Sequence, residues 1–132
     1  QVRYENPARG VATSGWRGRS HSFGIADAVT VLATNAAAAD VAATLIANAV
    51  DLPGSPNIKR APAAELAPDS DLGERLVTVD VGGLSKSETA TALDRGATFA
   101  QSILDRGLIY GAALQLNGDV RFVAVDGQQR RL

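Results

Sequence analysis

The sequence predicts an α+β fold in which helices pack on a mixed β-sheet that closes with an antiparallel hairpin. Two long segments with helical periodicity alternate with short β-branched runs. The dipeptide Asn117-Gly118 stands between two apolar runs, which is the strongest short-range signal for a hairpin. The resulting order of strand, helix, strand, helix, strand, strand disfavours a purely doubly wound sheet.

The first half of the chain begins with turn formers and continues with one strand and one helix. Residues 1–24 contain Pro and Gly at short intervals, so we expect a loop-rich segment with a short extended piece near Gly10–Thr13. Residues 25–51 contain a β-branched run that is typical of a strand, followed by an alanine-rich helix. Thr34 or Asn35 caps that helix, because either side chain can accept a hydrogen bond from the first turn.

The second half begins with a proline-rich connection and then returns to regular structure. Residues 52–74 carry four prolines, and we expect a long connection with one helical turn near Ala63–Ala67. A connection of this length is uncommon inside a compact domain and often carries function or contacts a partner. Residues 75–132 predict a strand, a helix and the closing hairpin, and Ser85 and Glu88 form a capping box for that helix.

The composition is that of a single globular domain, and it excludes several kinds of chemistry. The chain has 132 residues, of which 45% are hydrophobic, and this suits one compact domain with its own core. A net charge of −1 argues against nucleic acid or an acidic membrane surface as the main partner. With no cysteine and one histidine, disulfides, thiolate chemistry and a Cys/His zinc cage are excluded. No apolar run is long enough to span a bilayer, and a cytoplasmic protein is the simplest expectation.

The chain contains no methionine and begins with Gln1. We therefore expect a processed product or one piece of a longer polypeptide. A hydrolase that cleaves itself and uses its new N-terminal residue as the nucleophile is disfavoured, because glutamine lacks the hydroxyl or thiol that such chemistry requires.

Three polar residues are evenly spaced along the alanine-rich helix. Asp40, Thr44 and Asn48 follow one another at intervals of four residues, so they lie on one side of the helix. A carboxylate, a hydroxyl and an amide in one row could hold a hard cation or a diphosphate. The alternative is an ordinary solvated stripe on a surface helix.

A second set of candidate residues precedes the first strand. The turn Thr13-Ser14-Gly15 offers hydroxyls and a close backbone approach, and Arg17 and Arg19 could neutralise a phosphate. The alternative is a plain Ser/Gly turn with solvated arginines. His21 is either a structural histidine or a general base near that phosphate, and Trp16 either stacks on a ligand ring or covers the edge of the core.

Three short segments together resemble a known family. The segments Ala12–Gly15, Ala26–Ala33 and Ala39–Thr44 are similar to the C-terminal half of the ApbE-like superfamily, which includes the FAD:protein FMN transferases. The closest likeness is to an uncharacterised branch of that superfamily. The resemblance covers residues 10–52 well and the remainder of the chain loosely.

The resemblance implies a ligand and a metal ion for particular residues. In the transferases an Asp-x-x-x-Thr motif binds Mg²⁺, and here the matching positions are Asp40 and Thr44. The turn Thr13-Ser14-Gly15 corresponds to one that lies close to bound FAD. A Ser-His pair associated with the active site corresponds to Ser20 and His21, although its spacing differs.

The chain also departs from the transferase pattern. Trp16 replaces the Asp that usually follows Thr-Ser-Gly, and the family's N-terminal half is absent. We therefore expect a second polypeptide to supply that half, while a homo-oligomer stays open. Three functions remain: a Mg²⁺-dependent FMN transferase, a protein that binds FAD, FMN or a related nucleotide without transfer, and a non-catalytic assembly module. The last would use the alanine-rich helix and residues 52–74 to pack on another chain.

Overall fold

The computed structural model describes residues 9–16, 22–66 and 72–124 of the chain. It confirms the predicted α+β class, with helices packed on β-structure. The elements in chain order are β1 Gly10–Ser14, β2 Ala28–Ala33, α1 Ala36–Ala49, β3 Ile58–Pro62, α2 Ala63–Leu66, β4 Leu76–Val81, α3 Lys86–Asp105, β5 Gly111–Leu116 and β6 Asp119–Ala124.

The main sheet has four strands in the order β1-β2-β5-β6, and every pairing in it is antiparallel. Helix α1 packs on β1 and β2, helix α3 packs on β5 and β6, and the two helices contact each other. Because successive side chains of a strand point to opposite faces, Val29 and Val31 are buried against the helices while Leu32 lies on the outer face. The core therefore lies between one face of the sheet and the two helices.

Capping residues define the first residues of the two long helices, as predicted. The side chain of Asn35 caps α1 and accepts a hydrogen bond from the backbone N–H of Ala38 at 2.8 Å. Ser85 and Glu88 form the capping box at the start of α3. Such caps each stabilise a helix by about 1 kcal/mol because they satisfy backbone N–H groups that have no partner inside the helix.

The alanines of α1 are what let it approach its neighbours closely. Ala39, Ala43 and Ala47 are buried on the side of the helix that packs against the sheet. Gly96 of α3 also permits close packing, since a Cβ there would lie 2.2 Å from Cγ2 of Val50. Small side chains at these contacts keep the helices near each other and near the sheet.

The long connection contains more structure than the sequence indicates. The helical turn expected near Ala63 is present as α2, but residues expected to be irregular form β3, which pairs with β4 as a separate two-stranded ribbon. Arg60 fastens this ribbon to the main domain, because its guanidinium donates to the backbone oxygen of Phe23 and to Asp51, both at 2.6 Å. None of the helices in the described ranges is long and apolar enough to cross a membrane.

Candidate functional site

Asp40 and Thr44 are both exposed on α1, one helical turn apart. The hydroxyl of Thr44 donates to the backbone oxygen of Asp40 at 3.0 Å. Since a hydroxyl has one proton and two lone pairs, this bond uses the proton and leaves the lone pairs of the Thr44 oxygen available. The carboxylate of Asp40 has no hydrogen-bonding or ionic partner among the described residues. The pair therefore presents oxygen donors that the fold does not otherwise use.

These two residues lie on the side of α1 that is turned away from α3. The grooves between α1 and α3 are lined on α1 by other positions, among them Val41, Leu45 and, two turns after Asp40, Asn48. Because α1 covers β1 and β2 while α3 covers β5 and β6, the opposite side of α1 lies along the edge strand β1. We infer that Asp40 and Thr44 lie towards this sheet edge, with which no other described strand pairs.

Ser14 lies on the side of the sheet that carries α1, at about the level of Thr44. A Cβ on Gly10 would lie 2.3 Å from the nitrogen of Ala36, so β1 and α1 begin side by side, and they run in the same direction. At about 3.3 Å per strand residue and 1.5 Å per helix residue, Ser14 and Thr44 are each about 12–13 Å from those starting points. Strand alternation puts Ser14 on the face that carries Ala12, which packs against the core. Ser14, Asp40 and Thr44 together make the candidate site.

Thr13 is placed differently from its neighbour in the predicted turn. Its hydroxyl lies 3.0 Å from that of Thr30, its partner across β2, on the outer face of the sheet. The sheet itself therefore separates the Thr13 side chain from α1. The sequence groups Thr13 with Ser14, but the extended backbone of β1 sends the two hydroxyls to opposite faces.

Gly15 has a steric role that explains why this position carries glycine. The residue is buried, and a Cβ there would lie 2.4 Å from the backbone oxygen of Asp27. The chain then passes to Trp16, whose backbone N–H donates to Ala26 at 3.1 Å and whose indole N–H donates to Asp27 at 3.3 Å. One hydrogen bond from the backbone and one from the side chain of Trp16 therefore join the turn to the residues just before β2.

Asp27 is a residue that the sequence analysis does not single out. Besides the indole of Trp16, its carboxylate accepts the backbone N–H of Asn117 at 2.9 Å. The side chain of Asn117 donates in turn to the hydroxyl of Thr89 at 3.2 Å. A cavity of about 40 Å³ adjoins this cluster and has room for an ordered water molecule. The only sequence signal for Asp27 is a carboxylate in an otherwise small and apolar run before a strand.

Asn48 has a structural role, although its spacing places it in the polar row. Its side-chain oxygen accepts from the hydroxyl of Ser22 and from the backbone N–H of Phe23, both at 3.1 Å. The Ser22 oxygen also accepts the backbone N–H of Gly24 at 3.1 Å. Asn48 therefore ties the last turns of α1 to the segment that leads into β2.

A groove lies between the C-terminal part of α1 and the N-terminal part of α3. It has a volume of about 530 Å³ and a mixed polar lining. Two of its carboxylates are already engaged, since Asp51 pairs with Arg60 at 2.6 Å and Asp94 pairs with Arg121. The groove is open, and Asn48 lines it on α1 while Asp40 and Thr44 do not.

Three predicted site residues fall outside the described ranges. They are Arg17, Arg19 and His21. Within the described ranges, no group of three or more His, Cys, Asp or Glu side chains is assembled to hold a metal ion. A cation at the candidate site would therefore be held by Asp40 and Thr44 together with oxygens of a ligand or water. This sparse donor set fits Mg²⁺, which commonly takes one or two carboxylates plus phosphate oxygens.

The fold and the site define an α+β protein in which an alanine-rich helix presents a carboxylate and a hydroxyl beside the edge of an antiparallel sheet. The family model described as AbpE bacteria matches residues 1–122, and the chain belongs to that family. The match includes all three residues of the candidate site and both long helices. No curated protein and no solved structure matches the chain.

Proposed function

We propose that this chain is an ApbE-like protein that binds FAD, FMN or a related nucleotide, with Mg²⁺ held by Asp40 and Thr44. The observation that carries the proposal is the exposed, unpaired carboxylate of Asp40 one turn before Thr44, on the side of α1 along β1. The spacing matches the metal-binding Asp-x-x-x-Thr of the FMN transferases that the sequence resembles. The description of the matched family is close to ApbE in wording and names no ligand or reaction.

The three residues of the candidate site have different roles in this proposal. Asp40 supplies a carboxylate oxygen to the cation, Thr44 supplies a hydroxyl lone pair, and Ser14 supplies a hydroxyl to the ligand beside β1. Mg²⁺ bound there would neutralise the diphosphate and polarise the phosphoryl group under attack. The side chain of Thr13 lies across the sheet, so this residue contributes through its backbone alone.

The stronger form of the proposal is a FAD:protein FMN transferase. A hydroxyl of a target Ser or Thr attacks the phosphorus on the FMN side of the FAD diphosphate. A phosphoester bond to the target forms, the diphosphate bond breaks, and AMP leaves with the bridging oxygen while the hydroxyl proton is released. Arg17 and Arg19 are predicted to contact the phosphates and His21 to act as the base. A cytoplasmic location belongs to the same proposal and rests on composition alone.

Ligand binding can be tested by thermal unfolding and flavin absorbance, with and without Mg²⁺. A ligand at one hundred times its dissociation constant stabilises a protein by about 2.7 kcal/mol. In a domain of this size that raises the melting temperature by roughly 10 °C. Asp40→Ala should remove the part of the shift that depends on Mg²⁺. Asp80→Ala, which removes an exposed carboxylate from β4, should leave it unchanged.

Turnover separates the two forms of the proposal. A transferase should release AMP from FAD in the presence of Mg²⁺ and a target protein, and Asp40→Ala should stop the release. A binding protein should show the thermal shift without AMP. If neither FAD nor FMN stabilises the chain under any of these conditions, the flavin proposal is wrong.

An exposed apolar surface favours a second candidate function, a non-catalytic assembly module. Val41, Leu45 and Leu108 are 59%, 47% and 51% exposed beside a groove of about 400 Å³ between α1 and α3. Such surface is a common feature of protein contacts. In this case the partner is a second polypeptide, as the resemblance implies. The module should co-purify with it in a fixed ratio, and Leu45→Lys should weaken that complex without a flavin effect.

A further inference from the structure

No described helix or strand covers the outer face of the main sheet, and the strand positions on this face carry no charge. Eleven strand positions point away from α1 and α3: Val11, Thr13, Ala28, Thr30, Leu32, Gly111, Ala113, Gln115, Val120, Phe122 and Ala124. None of these side chains is ionisable. Phe122 is 77% exposed, which is the highest exposure among the large hydrophobic residues of the described ranges.

This face has one large projection beside one shallow hollow. Phe122 stands opposite Ala113 on the neighbouring strand, and Ala113 stands opposite Thr30. A hollow of about 330 Å³ lies over the small residues Gly111 and Ala113, with Leu32 at its rim. The aromatic ring therefore projects next to a depression whose floor is made of glycine and alanine.

We propose that a second copy of this chain covers the face, so that two sheets stack across a twofold axis. In such an arrangement each patch meets the same patch of its partner. The Phe122 ring of each copy enters the hollow of the other. A charged face would repel itself when like positions come together, and this face avoids that cost because its strand positions are neutral. The same neutrality gives no attraction to a highly charged partner.

The size of the face sets the strength expected of the contact. Four strands at about 4.8 Å and five residues at about 3.3 Å span roughly 19 by 17 Å. Because projecting side chains make the accessible surface larger than this flat area, two such faces bury on the order of 1,000 Å² in total. This is at the lower limit for a stable protein interface. The dimer should therefore form and dissociate with concentration. It lies on the opposite face of the sheet from Asp40, so it is independent of flavin binding.

The test is sedimentation of the complete chain from low micromolar to high micromolar concentration. The mass should rise toward twice the 13.6 kDa of the monomer. Phe122→Lys should raise the dimer dissociation constant about tenfold or more, as expected for an aromatic residue that fills a pocket. The matched control Leu76→Lys changes an exposed apolar residue on β4 of the separate ribbon and should leave the dissociation constant unchanged. Added salt should not weaken the dimer, because no ion pair holds it.

A second measurement does not depend on the fold of the Phe122 variant. The chain has no cysteine, so Gln115→Cys carries a single nitroxide label on the same face but outside the hollow. Spin–spin broadening should appear at high concentration with this label and be absent with a label at Leu76→Cys. A monomeric mass at every concentration would overturn the proposal. So would a chain that stays monomeric by itself and uses Phe122 to bind the second polypeptide that the resemblance implies.

Discussion

Replacing Asn48 with alanine should destabilise the fold much more than an ordinary surface change. The substitution removes the acceptor for two hydrogen bonds of 3.1 Å, from the hydroxyl of Ser22 and the backbone N–H of Phe23. Ser22 is only 4% exposed, so water cannot readily replace the lost partner. An unsatisfied buried donor costs about 1–3 kcal/mol, and because Phe23 is only half-buried the expected loss for the two donors is about 2–4 kcal/mol.

The loss should be measured as the free energy of unfolding in urea, with two control variants. Asn48→Asp keeps an acceptor oxygen in place and should lose less than Asn48→Ala. Thr44→Ala changes an exposed residue one turn earlier on α1 and should fall within about 0.5 kcal/mol of the parent. At roughly 4 °C per kcal/mol, Asn48→Ala should lower the melting temperature by about 8–16 °C. If Asn48→Ala behaves like Thr44→Ala, the anchoring role of Asn48 is refuted.

Two further stability predictions follow from the same contacts. Gly15→Ala should destabilise by about 2 kcal/mol or more, because the new Cβ would lie 2.4 Å from a backbone oxygen that cannot move freely. Gly83→Ala, where nothing lies within 4 Å, is its control, and equal melting temperatures for the two variants would contradict the steric argument. Ser85→Ala should cost about 1 kcal/mol through loss of the α3 cap, measured by urea unfolding. Ser87→Ala, in the first turn of the same helix, should have a much smaller effect.

Features that depend on a few neighbouring residues are predictable from the sequence. Asn117 and Gly118 have φ values of 53° and 85°, which form the two-residue turn that the Asn-Gly dipeptide predicts. The caps at Asn35 and Ser85 also follow from residues within one helical turn. The spacing of Asp40 and Thr44 places them on one helix face for the same reason.

Other features depend on partners that are distant along the chain. Strand β3 has weak local signals and two nearby prolines, and it forms because β4, some twenty residues later, supplies its hydrogen bonds. The spacing of Asn48 suggests a ligand residue, but its side-chain oxygen accepts hydrogen bonds from Ser22 and Phe23, which are distant along the chain. Thr13 looks like a ligand residue until its pairing with β2 fixes the face to which it points.

The sequence by itself determined the α+β class, the helix ends, the hairpin turn and the pairing of a carboxylate with a hydroxyl on α1. These depend on backbone propensity and on side chains within a few residues, which act before any long-range contact forms. Only the tertiary structure decided that Asp40 and Thr44 lie on the side of α1 towards β1, that Asn48 is an anchor, and that no described element covers the neutral face of the sheet. Those outcomes depend on which segments meet, and that is decided by burial of the whole core rather than by any local pattern.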